Sequence, residues 1–105
     1  MNRFNENLQT LDNSDHLKQI DLYFSDGKLE GTIYNQPGSQ GSVKVYHHLF
    51  KIWGCIDAQS AKEGLELYAE HTQDARKNPG KHPNIDRLFN LIESNEKLSV
   101  TLVVA

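Results

Sequence analysis

The sequence predicts an α+β fold: an N-terminal helix, a β-hairpin, three helices and a C-terminal strand, with the helices packed on a small, mostly antiparallel sheet. Three observations carry that expectation. Apolar residues alternate on either side of a "SDG" turn. Apolar residues at helical spacing fill the region between residues 43 and 92. The chain then closes on "KLSVTLVVA", where Leu98, Val100, Leu102 and Val104 alternate with Ser99, Thr101, Val103 and Ala105. At 105 residues, 1–105 forms a single domain with one core, and no repeat or low-complexity tract divides it.

Phe4, Leu8 and Leu11 recur at i, i+4 and i+7, the stripe of a short amphipathic helix that ends in "DNSDH". In "QIDLYF", Ile20, Leu22 and Phe24 alternate with polar or amphipathic neighbours, and "KLEGTIY" alternates again through Leu29 and Ile33, which gives a hairpin with one buried face. Gly31 falls between Leu29 and Ile33 on that face, where a missing side chain lets a helix come close. "NQPGSQGS" reads as a loop, and Ser42 is the expected N-cap of a helix carrying Val45, Leu49, Ile52 and Trp53 and stopped at Gly54. Asp57 caps a longer helix, whose stripe of Ala61, Leu65, Tyr68, Thr72 and Ala75 runs to Arg76 or Lys77.

Asn78-Pro79-Gly80-Lys81 has the residues of a type II turn, and Pro83 forces His82 to be extended. Asn84 then caps a third helix carrying Ile85, Leu88, Phe89 and Ile92. The final strand degenerates into an apolar run, as expected of a strand covered on both sides. If its edge is instead uncovered, pairing across a two-fold axis would make a homodimer, and the two alternatives weigh equally.

Charge and composition exclude several classes. With 11 Lys+Arg against 14 Asp+Glu the net charge is −3, so the surface as a whole repels a phosphate backbone and generic nucleic-acid binding is disfavoured. No apolar run approaches the roughly 20 residues that span a bilayer, and "MNRFNENLQTL" is too polar for a secretion signal. The single Cys55 forms no internal disulfide and no C-x-x-C pair, which suits a reducing compartment. A cytoplasmic location without membrane attachment is the expectation.

The strings "NQPGSQGS", "LYAEHTQDAR" and "NPGKHPNIDRL" together resemble a family of small bacterial proteins catalogued as domain of unknown function 2322, over most of the chain from the hairpin to the third helix. The resemblance implies a shared fold. It brings no reaction and no catalytic residue, so function has to be read from local chemistry.

Three constellations bear on chemistry. "PGSQGS" offers Ser39, Gly41 and Ser42 in front of unpaired helical N–H groups, a setting that favours anions, though it lacks the Lys and the spacing of a P-loop. Between residues 71 and 90, Arg76, Lys77, Lys81 and Arg87 face Asp74 and Asp86, a local +2 that leaves −5 for the rest of the chain. Arg76, Lys81, His82 and Asn84 are therefore the expected second side of an anion site, stiffened by Pro79 and Pro83.

Third, Asp74 lies one helical turn after His71 and could orient it as a general base, whereas Glu70 points away. Glu63, Glu66, Glu70 and Asp74 otherwise read as a solvated acidic face. His47 and His48 are adjacent and diverge on a helix, so no metal site and no cofactor are expected. The leading expectation is a non-catalytic module for a small phosphate- or carboxylate-bearing ligand. The alternatives are an enzyme using His71 and Asp74, or a protein-docking surface with no small ligand.

Overall fold

The computed structural model describes residues 3–105. Its elements are α1 (Arg3–Gln9), β1 (Leu17–Tyr23), β2 (Leu29–Tyr34), α2 (Gln40–Trp53), α3 (Ala58–Tyr68), α4 (Glu70–Lys77), α5 (Pro83–Ser94) and β3 (Ser99–Val104). The sheet is antiparallel in the order β2-β1-β3, so the fold is α+β as the pattern predicts.

β1 takes the centre because its alternation is the cleanest: Ile20 and Leu22 are fully buried, while Gln19, Asp21 and Tyr23 alternate with them on the opposite face. On that outer face Asp21 accepts hydrogen bonds from Gln19 Nε2 (2.9 Å) and Thr32 Oγ1 (2.8 Å). The pairing Leu22↔Gly31 is followed by Tyr23↔Leu29, so Glu30 is an extra residue in β2. That bulge moves Leu29 to the Tyr23 side, which is why Leu29 is 54% exposed instead of buried. Gly31 keeps its inward place, and a Cβ there would lie 3.1 Å from Arg87 Nη2 of α5. The close approach expected at Gly31 is made by a guanidinium.

β3 pairs only with β1, so it is an edge strand. Ser99, Thr101 and Val104 are exposed, which corrects the reading of a strand covered on both sides. Its apolar ending reflects Val100 and Leu102 packing against the core from one face only. Ile56 joins Leu98 through two backbone hydrogen bonds of 3.0 and 2.8 Å, fixing the α2–α3 link to the sheet.

The helices differ from expectation at three ends. The helix predicted from Asp57 to Arg76 breaks at Ala69, which adopts φ 52, ψ −116, near the first central position of a type II′ turn that glycine favours. Thr72 Oγ1 spans the break with a hydrogen bond to Leu65 O (2.5 Å), and Glu70 accepts Phe4 N–H at 2.9 Å. α2 begins one turn earlier than expected, with Ser39 at the N-cap position, and α5 begins at Pro83 with His82 as N-cap, so neither Ser42 nor Asn84 is a cap. Proline at the first helical position suits α5 because that N–H has no intrahelical acceptor in any case.

The Asp57 cap is found as expected, closed into a capping box by Ser60. Helix α3 can lie close to its neighbours because of Gly64: a Cβ there would stand 2.8 Å from Leu88 Cδ1 and 3.0 Å from Leu49 Cδ1. No helix among the described residues is long and apolar enough to cross a membrane.

Candidate functional site

The early start of α2, the break at Ala69 and the Pro83 start of α5 bring three segments around one cavity of about 400 Å³. Ser39, Gly41 and Ser42 line it from α2, His71 from α4, and Lys81, His82 and Asn84 from the loop and first turn of α5. Phe4, Gly38, Tyr68, Pro83 and Ile85 complete the wall. Seven of the residues singled out in the sequence therefore share one concavity, and two do not: Arg76 and Asp74 are absent from its lining.

At the α2 side, Ser39 ends the loop by donating its hydroxyl to Tyr34 O, and its N–H reaches Gln36 O at 3.0 Å. Val43 N–H is the first in α2 to reach a carbonyl, that of Ser39, at 3.0 Å. The preceding N–H groups of Gln40, Gly41 and Ser42 are the open donors that every helix start leaves. Ser42 Oγ accepts the buried Tyr68 hydroxyl at 2.7 Å, which leaves the serine proton to be offered elsewhere. Burial pushes the Tyr68 phenol well above its ordinary range, so it stays a donor. A Cβ at Gly41 would lie 3.0 Å from Phe4 Cζ and 3.3 Å from Leu8 Cδ1, so only glycine lets α1 sit down on this turn.

At the α5 side, Lys81 N–H closes on Asn78 O (3.1 Å) and Gly80 has φ +92, the geometry of the type II turn read in the sequence. Gly80 N–H is held by Asp86 Oδ2 at 2.9 Å. The amides of Ile85 and Asp86 both return to His82 O, at 3.0 and 2.9 Å, and proline has no N–H, which leaves the Asn84 amide as the open donor of the first turn. Asn84 is fixed by Arg87 Nη1 on its side-chain oxygen (2.8 Å) and by Tyr46 Oη on its carbonyl (2.5 Å). Arg87 is in turn anchored by Glu30 at 2.8 Å, so the start of α5 is tied to the sheet.

Asp74 is the electrostatic hub behind the cavity. His82 Nε2 lies 2.6 Å and Lys81 Nζ 3.0 Å from Asp74 Oδ2, and Asn78 Nδ2 reaches Oδ1 at 3.1 Å. The His82 hydrogen bond, then that of Lys81, holds the carboxyl down to about 2. It is an acceptor at any ordinary pH, so His82 Nε2 is the donor. This corrects the expected pairing of Asp74 with His71. His71 instead packs edge-on against Phe4, with ring centroids 4.9 Å apart, and lies 5.7 Å from the His82 ring.

The expected solvated acidic face is corrected as well. Glu63 holds His48 and Trp53, Glu70 caps α1 and Asp74 braces the loop, so three of the four carboxylates have structural partners. Arg76 turns away from the cavity and lies 5.3 Å over the Phe89 ring, because its position on α4 faces the flank of α5 and not its start. Lys77 is exposed at the end of α4.

Five wall residues are not among the site residues read from the sequence, and two of them, Phe4 and Tyr68, form an aromatic pair. Phe4 and Tyr68 stack at 5.3 Å with an interplanar angle of 16°. Both lie on the apolar stripes of their helices, and a stripe residue that reaches a cavity has the same pattern as one that fills the core. His47 is buried against His16 and its imidazole is held below its ordinary range by that burial, while His48 points to Glu63. Burial raises the Cys55 thiol, and Asp57 adds to this, which disfavours the reactive thiolate. Among the described residues no three His, Cys, Asp or Glu side chains are placed to hold a metal ion.

Residues 4–102 match the model of a family described as an uncharacterized protein conserved in bacteria (DUF2322). No curated protein and no solved structure matches the chain.

Proposed function

The chain belongs to the DUF2322 family of bacterial proteins, and on that footing we propose that it is a non-catalytic module that binds a small anion, phosphate- or carboxylate-bearing, between the start of α2 and the 78–84 loop. The observation that supports the reading is convergence. Gly41, Ser42 and Asn84, whose amides are not taken up by the helices they begin, line the same cavity as Lys81, His82 and His71, and two helix N-termini beside the Lys81 ammonium favour negative charge. The site is also stiff: the Pro79 turn, the Asp86–Gly80 bond and the Asn84–Arg87–Glu30 chain hold its loop before any ligand arrives.

A thermal-shift screen against phosphorylated and carboxylated metabolites tests this directly. A ligand at 100 times its dissociation constant adds about 2.7 kcal/mol, a shift of many degrees in a domain of this size. The shift is expected to shrink in Lys81→Ala and His82→Gln. A screen with no stabilising acid in it would contradict the reading.

An enzymatic reading is favoured by one observation, the Asp74–His82 pair at the cavity wall, which makes His82 the base in place of His71. It predicts that His82→Gln abolishes complementation in cells while ligand stabilisation persists. The exposed edge of β3 is where a second copy would pair, and sedimentation velocity of the intact chain checks that. A cytoplasmic location suits the lone free thiol of Cys55.

A further inference from the structure

We propose that the ligand of this cavity is an aromatic monocarboxylate, one negative charge on a flat apolar body, and not a phosphate ester. The inference rests on the anion reading above and narrows it through two observations: the count of charges that reach the cavity, and the make-up of its wall.

Of the four cations between residues 71 and 90, three do not serve the cavity. Arg76 lies over Phe89, Arg87 is engaged by Glu30 and Asn84, and Lys77 is exposed on α4 without lining the cavity. Lys81 remains, and Asp74 holds it at 3.0 Å. That pair sums to zero, so among the described residues the cavity has no uncompensated Lys or Arg charge, only the imidazoles of His71 and His82 with the Asp74 carboxylate close behind. A phosphate monoester carries about 1.5–2 negative charges near neutral pH and gains most from bidentate guanidinium partners. Among the described residues no guanidinium lines this cavity. A carboxylate brings one charge and can be satisfied by one cation and one or two N–H or O–H donors.

The wall answers the rest of the ligand. Phe4 is only part-buried, stacks on Tyr68 and meets His71 edge-on, so an aromatic surface continues from the core to the cavity rim beside Pro83. A volume of about 400 Å³ lies within the range of roughly 300–1,000 Å³ typical of small-molecule sites. Covering that surface with a ring removes apolar area from water on both partners, which a bare phosphate or acetate cannot do.

Titration calorimetry on the full chain with phenylacetate, acetate and inorganic phosphate, at one pH and ionic strength, tests the inference. Phenylacetate is expected to bind at least ~10-fold more tightly than acetate and phosphate. Phe4→Leu keeps an apolar side chain under α1, and it is expected to remove most of the phenylacetate advantage while acetate changes less than about twofold. Lys81→Ala is expected to weaken all three. Phosphate binding as tightly as phenylacetate would overturn the inference and leave the anion reading standing. Phenylacetate binding that ignores both substitutions would place it elsewhere and overturn the inference. Absence of binding by all three probes would overturn the inference and the anion reading together.

Discussion

Ala69→Gly is expected to stabilise the protein, although it places glycine inside what the sequence presents as one helix. Ala69 sits at φ 52, ψ −116, a conformation in which an L-residue with a Cβ is strained by about 1–3 kcal/mol. Glycine removes that strain. It also enlarges the conformational freedom of the unfolded chain, which offsets about 0.5–1 kcal/mol of the gain. The net expectation is a stabilisation of about 1 kcal/mol. Urea unfolding followed by circular dichroism reads it, with a midpoint rise of roughly 0.5 M for an m-value of about 2 kcal/mol/M. In an unbroken helix the same substitution would instead cost about 1 kcal/mol. The sign therefore decides: a midpoint that falls by a similar amount would refute the break at Ala69, and with it the turn that brings His71 to the cavity.

Gly64→Ala is expected to destabilise by about 1–3 kcal/mol in the same urea assay, since the new Cβ would stand 2.8 Å from Leu88 and 3.0 Å from Leu49, both fully buried. Asp57→Ala should cost about 1 kcal/mol through loss of the capping box. The Ser60 N–H hydrogen bond is the first cause that holds the Asp57 carboxyl below its ordinary value of 3.8, so its contribution is present above about pH 4 and drains away as the pH falls further. The variant's stability should accordingly depend less on pH in that acid range. Asp74→Asn frees Lys81 and His82 from the carboxylate they share, and anion affinity by calorimetry should rise by about 3–10-fold. Unchanged or weaker affinity would mean that Asp74 positions those groups more than it competes for them.

How much of this was legible varies by element. The hairpin, the Gly54 stop, the Asp57 cap and the Pro79-Gly80 turn follow from residues whose backbone or side chain admits few alternatives. The other two caps were misplaced for a local reason. Ser39 and Ser42 are equally good caps three residues apart, and the choice is made by the Ser39 hydroxyl bonding Tyr34 at the end of β2. For α5 the signal was present, because proline at the first helical position marks His82 as the cap, but Asn84 has the commoner capping side chain.

The Ala69 break leaves no mark in "LYAEHT". It is supported by Thr72 bonding Leu65 across the break and by Glu70 bonding Phe4, the second a contact that exists only once α1 is docked. The grouping of the two anion-favouring loops around His71 likewise depends on helix directions that no spacing encodes. Partner choice was the least legible of all: Asp74 at one turn from His71 looked like its orienter, and the loop brought His82 to it instead.

The position of a bound acid is the most direct test. Amide NMR of the isotopically labelled chain, titrated with the most stabilising acid from the screen, should show its largest shifts at Gly41, Ser42 and Asn84, with His71 and His82 ring signals moving in step. Shifts concentrated instead along the groove lined by Arg3, Lys62 and Arg76, with those three amides unmoved, would contradict it.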